Sequence, residues 1–248
     1  MKVLGYNIAE GGAGRLPAIA ALIARQRPDA VALIEANSRA NAAELAERLG
    51  MALAFGEANG DYHLAWLSRS PIRAVTNHRH PGLAKTLLEI VIDGDDGGPL
   101  HLFAAHLASR HEPLAPVEEL PIILDRLAAV GTRPHLLVGD FNALRVGDPI
   151  GTPPIGVVPR GEAVAGAPRP AIGQLLAAGY VDCYRHCHPR AAGYTYPAAA
   201  PWLRLDYLFA DPTLAARLDR CERVASAATM RASDHLPVWA TFHTARQG

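Results

Sequence analysis

"HLLVGDFNAL", residues 135–144, decides how the rest of the chain is read. An apolar run from His135 to Val138 ends in a glycine, an acid, an aromatic and an amide. The run has the length and composition of a buried strand. In an extended chain successive side chains alternate faces, so Asp140 and Asn142 point one way and Phe141 points the other, into the core. Gly139 removes a side chain where something must come close. An acid beside an amide suits chemistry in which one handles a proton or a metal-bound water and the other donates to an anion. The same pair also ends strands as a plain turn, because Asp and Asn bond their own backbone. On this segment alone the two readings weigh the same.

Working outward, the pattern repeats. "KVLGYN" ends in Asn7, "AVALIE" in Glu35 and "LHLFAAH" in His106. "RLDYLF" buries Asp206 in an apolar strand, and "SDHLPV" sets Asp234 and His235 just before the last one. Each has a bland explanation: Glu35 as a helix cap, His106 as a hydrogen-bonded core histidine, Asp206 as a partner of Arg204. Taken together, strand ends carrying Asn, Glu, His, Asp, Asn and Asp-His are the inventory of a hard-metal phosphoryl-transfer site. Carboxylate oxygens suit Mg²⁺ or Mn²⁺, and histidines and amides suit a phosphate oxyanion. Asp234 and His235 are consecutive, so both reach one site only from a turn; Ser233 and Pro237 fit that.

The remaining chain supplies the frame. Strands are expected at "KVLGYN", "DAVALIE", "HLAWLSR", "IRAVTNHR", "KTLLEIVI", "LHLFAAH", "HLLVG", "YVDCY", "RLDYLFA", near 221–226 and at "LPVWATFH". Helices are expected over 15–27, over 38–49 with Ser38 as N-cap and Gly50 as stop, over about 113–130, and over 171–178. Without strict strand–helix alternation, the class is α/β of the mixed α+β kind. No linker divides the chain, so 1–248 reads as one domain. The stretch from Gly147 to Pro170 is rich in Pro and Gly and too long for a simple connector, which makes it a candidate functional loop.

The chain has 248 residues, is half hydrophobic and carries no formal net charge. Lysine occurs only at Lys2 and Lys85. That argues against a dedicated duplex binder, whose phosphate contacts need a basic surplus. Cys183, Cys187 and Cys221 form no disulfide framework. A zinc site at Cys183, Cys187 and His188 lacks a second cluster, so ordinary thiols are expected. No secretory signal or membrane-length apolar run is seen, so the expected location is cytoplasmic and the expected state a monomer.

In this order, Asn7, Glu35, the "AAHL" stretch with His106, "GDFN" at 139–142, "RLDY" at 204–207 and "SDHLPV" at 233–238 resemble the endonuclease/exonuclease/phosphatase superfamily, the fold of deoxyribonuclease I and exonuclease III. "LSRSPI" at 67–72 resembles its central strand turn, and the likeness spans nearly the whole chain. The resemblance implies a four-layer sandwich: two mixed sheets face to face, with helices outside. It implies that Glu35 is the main metal ligand with Asn7 beside it, and that Asp234 completes the metal shell. It implies that Asp140 activates the water, that Asn142 donates to the phosphate, and that His235, held by Asp206, donates to the scissile phosphate. His106 matches the second active-site histidine of the nuclease and sphingomyelinase branches. The apurinic-endonuclease branch has an acid two residues after the first Asn; here Ala9 stands there, with Glu10 next, which weakens an abasic-site reading. Arg110, Lys85, His63 and Tyr194 are pocket-lining candidates outside the site proper.

The expected activity is therefore a phosphoesterase dependent on Mg²⁺, with Mn²⁺ as the alternative, and foremost a phosphodiesterase. Its partner is a phosphate ester: a small molecule, a lipid headgroup or nucleic acid. One alternative is a DNA endonuclease or exonuclease of the same superfamily. Another is a binding module that keeps the fold without catalysis, which should have lost one of these residues.

Overall fold

Short strands with one or both faces apolar are stable only when stacked, and this chain stacks them in two sheets. The computed structural model describes residues 1–109, 112–153 and 170–244; Arg110 and residues 154–169 of the Pro- and Gly-rich stretch lie outside the described residues. The order is β1 (Lys2–Asn7), α1 (Leu16–Gln26), β2 (Ala30–Ile34), α2 (Arg39–Leu49), β3 (Ala52–Gly56), β4 (Leu64–Ser68), β5 (Ile72–His78), β6 (Leu87–Asp93) and β7 (Pro99–His106). It continues with α3 (Pro116–Ala128), β8 (His135–Asp140), α4 (Pro170–Ala177), β9 (Val181–Asp182), α5 (Cys183–Cys187), β10 (Asp206–Ala210), α6 (Pro212–Ala215), β11 (Leu218–Arg223), α7 (Thr229–Ala232) and β12 (Val238–Phe242).

Among the described residues each sheet has six strands, in the orders β11-β12-β1-β2-β4-β3 and β5-β6-β7-β8-β10-β9. Each is antiparallel except for one central parallel pair, β1 with β2 and β7 with β8. The chain leaves the first sheet at Ser68 and enters the second at Ile72, at the "LSRSPI" turn. Val3, Trp66, Leu88, Leu102, Val138 and Leu208 pack between the sheets. Leu4, Ile19, Ile23 and Leu45 join α1 and α2 to the first sheet. Phe103, Ile123, Leu137 and Ile172 join α3 and α4 to the second. The four layers expected from the resemblance are present.

One contact ties the two sheets together, and one close approach sets the pairing of two strands within the second sheet. The buried Trp66 indole donates across the sandwich to the Leu88 carbonyl at 3.2 Å. A Cβ at Gly139 would lie 1.9 Å from the Ala105 oxygen, so only glycine lets β7 and β8 pair there.

Ser38 accepts from the Asn41 amide at 3.2 Å, and Gly50 closes α2 with φ 61°. Three expectations differ from the structure. β3 is an edge strand that the sequence reading left out; its Leu53 and Phe55 alternate with small residues and pack on the helix side of the first sheet. "YVDCY" gives only two strand residues, because the Asp182 side chain accepts from the Arg185 amide and starts a helix. The strand in "RLDYLFA" starts only at Asp206, since Thr195 Oγ1 takes the amides of Leu205 and Asp206. The three cysteines are free thiols, and burial pushes all of them upward in pKa. No helix among the described residues is long and apolar enough to cross a membrane.

Candidate active site

The two parallel pairs bring their polar strand ends to one place. Asn7 ends β1 and Glu35 follows β2; His106 ends β7 and Asp140 ends β8, with His106 paired to Asp140 in register. The Asn7 amide nitrogen joins the sheets, donating at 3.1 Å to Glu35 Oε1 and at 3.1 Å to Asp140 Oδ2. Its oxygen accepts from the Ala9 amide at 3.0 Å. Glu35 Oε2 accepts from the Glu10 amide at 3.0 Å.

The backbone here is unusual. Ala9 (φ 50°), Glu10 (φ 49°), Glu35 (φ 58°) and Asn142 (φ 46°) all sit in the left-handed region. Each such residue costs on the order of 1 kcal/mol and persists where the surroundings dictate it, commonly at functional sites. Arg27, which also has positive φ, only caps α1.

Asp140 is almost fully buried, and its Oδ1 accepts from the Asn142 amide at 3.0 Å. Burial pushes its carboxyl up to about 7, against the pull of the nearby His235 charge. His235 Nε2 lies 3.6 Å from Asp140 Oδ2, and its Nδ1 bonds Asp206 Oδ2 at 2.9 Å. Burial opposes charge on this ring, but Asp206 and then Asp140 outweigh it and raise the imidazole to about 10. The Ser233 hydroxyl donates to the Asn7 carbonyl at 2.7 Å and fixes the turn before β12. On that turn His235 is buried while Asp234 is exposed, as a turn rather than a strand requires.

His106 stands on the other side. Its Nε2 lies 3.7 Å from Asp140 Oδ2 and 3.2 Å from Asn142 Nδ2, which also donates to the Leu107 carbonyl at 3.0 Å. Burial, then Lys85 and His235, push the His106 pKa well below its ordinary value, so the ring is neutral. An Nε2 that accepts from Asn142 leaves the proton on Nδ1, which is buried without a partner among the described residues.

All eight residues singled out at strand ends thus lie around Asp140 or beside the Asp140 cluster. Arg204 is not the partner of Asp206: it is buried and clasps Asp182 and Asp148 instead. His63 accepts from the Ala58 amide at 3.1 Å and is tied into the loop before β4. Lys85 is buried, donating to the Leu107 carbonyl at 3.1 Å and pairing with Glu112. Tyr62 went unnoticed in the sequence. Its half-exposed ring meets His106 edge-on at 5.8 Å, and Glu35 is the first cause raising its phenol pKa. An exposed aromatic between a Gly-Asp turn and a strand was the available signal.

The donor set suits a hard divalent cation. Glu35, Asp140, Asp206 and Asp234 are gathered here, and among the described residues no arginine or lysine pairs with any of them. One imidazolium leaves the site acidic, while a phosphate substrate is itself an anion, so a cation is needed between them. Asp140, Asp206 and His235 bring ligand atoms within 4.8 Å of one another. Glu35, the Asn7 amide and Asp234 offer further oxygen atoms beside them, the donor type that a hard divalent cation takes.

Known structures share this architecture. A 3'-5' exonuclease from Neisseria meningitidis is 23% identical, with 98% of this chain and 99% of that one covered and a TM-score of 0.77. An AP endonuclease from Archaeoglobus fulgidus is 19% identical, covering 98% and 100%, with a TM-score of 0.73. A mannosyl-6-phosphatase from Bacteroides thetaiotaomicron is 16% identical, covering 98% and 99%, with a TM-score of 0.72. At these identities the likeness shows the fold. No curated protein matches the sequence. The sequence profile of the Endonuclease/Exonuclease/phosphatase family matches residues 4–235, and the chain belongs to that family.

Proposed function

We propose that this chain is a phosphodiesterase using Mg²⁺, or Mn²⁺ in its place, and that residues 1–248 act as one domain. The family's members are metal-dependent phosphoesterases, nucleases and phosphatases among them. The observation that carries the proposal is Asp140: a buried carboxyl raised to about 7, held by Asn7 from the other sheet and flanked by two histidines. A general base poised near neutral pH takes a proton most effectively from an attacking water. His235, charged up to about pH 10, donates to the phosphate oxygens as negative charge builds, and Asp206 keeps it oriented. Asn142 stands on the opposite side beside neutral His106, and to donate to the phosphate its amide would exchange the His106 Nε2 contact for the phosphate oxygen. Glu35, Asn7 and Asp234 would hold the metal, which when bound supplies charge neutralisation on the phosphoryl oxygens.

Hydrolysis of bis(4-nitrophenyl) phosphate should require Mg²⁺ or Mn²⁺ and stop with EDTA. Glu35→Gln should raise the metal concentration needed for half-maximal rate while leaving the melting temperature close to wild type. Full activity after exhaustive chelation would refute the proposal.

A DNA nuclease of the same family is the second reading, favoured by the exonuclease and endonuclease among the similar structures. Zero net charge and two lysines favour the smaller substrates, so duplex DNA binding should be weak and should fall only shallowly with salt. Tight binding with a steep salt slope would promote the nuclease reading.

A further inference from the structure

Two consecutive glutamates in the first turn of α3 make different bonds. Glu118 accepts from the Ala115 amide at 2.7 Å and caps its own helix. Glu119 is buried, at 1% exposure, and bonds away from the helix. Its Oε1 accepts from the Ala84 amide at 2.8 Å and its Oε2 from the Ala108 amide at 2.5 Å. Ala84 lies just before β6 and Ala108 just after β7, so one carboxylate fastens two loops at the site end of the second sheet. Burial pushes this carboxyl up to about 7, against the pull of the two amides. A buried acid is costly to keep, and the phosphodiesterase reading gives this one no task.

The Ala108 bond reaches the site through a single peptide group. The N–H of Ala108 and the C=O of Leu107 belong to the same planar trans unit and point opposite ways. Glu119 holds the N–H end. The C=O end accepts from Asn142 Nδ2 at 3.0 Å and from Lys85 Nζ at 3.1 Å. The Leu107 amide is fixed separately, donating to the Asp140 carbonyl at 3.0 Å. What remains to be set at this point of the chain is the tilt of the Leu107–Ala108 peptide plane, and Glu119 sets it. An anionic acceptor on the N–H also polarises the peptide and makes its carbonyl a stronger acceptor. The Asn142 amide has two N–H groups. With one held on the Leu107 carbonyl, the other faces His106 Nε2 at 3.2 Å, the contact that a phosphate oxygen would replace.

We propose that Glu119 is a positioning residue for phosphate-ester hydrolysis: through the Leu107–Ala108 peptide it holds the Asn142 amide ready to donate to the phosphate. Through Ala84 it also places the neighbouring Lys85, the second donor to that carbonyl. This rests on the phosphodiesterase reading and adds to it a residue that lies outside the site.

The test uses Glu119→Gln, which keeps the volume but turns an N–H toward one of the two amides in place of an acceptor. At pH 8 with Mn²⁺ and bis(4-nitrophenyl) phosphate, kcat should fall about tenfold while KM stays within about twofold, because a donor to the transition state is misplaced, not removed. A double-mutant cycle separates positioning from packing. In an Asn142→Ala background, Glu119→Gln should cost less than about twofold, since the group it positions is gone. Glu119→Asp, which keeps the charge on a shorter stem, is the second variant and should show the same non-additivity. Amide NMR gives a readout free of turnover: Glu119→Gln should move the Asn142 side-chain resonances together with the Ala108 backbone resonance. An unchanged kcat, equal losses in both backgrounds, or Asn142 resonances that stay put while that of Ala108 moves would overturn the proposal. Failure of wild type to hydrolyse any ester would instead sink the phosphodiesterase reading, and the NMR comparison would still decide whether Glu119 governs the Asn142 amide.

Discussion

Asp140 Oδ2 has a histidine on each side at nearly equal distance, 3.6 Å to His235 and 3.7 Å to His106, yet the two rings carry different charge. Both are buried, so both pay the same kind of desolvation. His235 has a second acid behind it, Asp206 at 2.9 Å on Nδ1, and is charged. His106 has no partner on Nδ1 among the described residues and has the Lys85 cation nearby, and it is neutral. Proximity to one carboxylate does not set the charge of a buried imidazole; the group on the far nitrogen does. One flank of Asp140 is thus a proton donor, and the other is a neutral wall aligned by Asn142.

The largest effect comes from removing what both flanks share. Asp140→Asn should cut kcat by roughly 10²–10⁴-fold with little change in substrate affinity, as loss of a general base does. His235→Ala should lose at least as much, because it takes away a charged donor to the transition state. His106→Ala should lose less than either. Equal losses at His106 and His235 would break the asymmetry.

A sharper probe removes only the acid behind His235. On the proposed mechanism Asp140 acts ionised and His235 protonated, so wild type should rise as pH climbs through about 7 and fall as it passes about 10. Asp206→Asn removes the leading cause of the raised imidazole pKa, so the alkaline limb should move down toward neutrality. Stability follows the same sign. A histidine raised from 6.5 to about 10 adds stability that is fully present below pH 6.5 and is lost as pH rises through about 10. Wild type should therefore lose stability over that window, and Asp206→Asn should lose less of it. Denaturation midpoints at pH 6 and pH 10, with the pH–rate profile, check both; an unmoved alkaline limb would assign it to another group.

This asymmetry was only half legible in the sequence. Asn7, Glu35, His106, Asp140, Asn142, Asp206 and the Asp234–His235 turn stood out because polar groups ending apolar strands are costly unless used. The strand ladder followed from the same apolar runs. What the sequence could not show was which far partner each histidine meets. Asp206 had an arginine two residues before it, and only the fold reveals that Arg204 turns away to Asp182 and Asp148. Lys85 read as a candidate pocket-lining residue, yet it is buried beneath the His106 loop. Tyr62 had no periodicity to mark it, since its place at the site comes from a loop. β3 was missed because it is only five residues long and follows α2 after Gly50 and Met51 alone.

The smallest effect should come from Lys85, and it tests the neutral flank alone. Lys85→Met keeps most of the side-chain volume and removes the cation. Burial is the first cause of the low His106 pKa and remains, so the ring should titrate closer to its ordinary value yet stay uncharged at pH 7. Asp206, Asp140 and Asp234 raise the His235 imidazole against its burial, so the alkaline limb should hold still when Lys85 is replaced. The change in kcat should stay below about tenfold, short of the loss expected at a general base. Stability should fall by about 1–3 kcal/mol, because the Leu107 carbonyl loses its buried ammonium donor. The Glu112 carboxylate is partly exposed and regains water, which limits the cost on its side. NMR titration of the His106 ring in both proteins reads the effect directly. A wild-type ring that protonates near pH 7, or a Lys85→Met variant whose alkaline limb shifts, would show that the two flanks are electrically one unit.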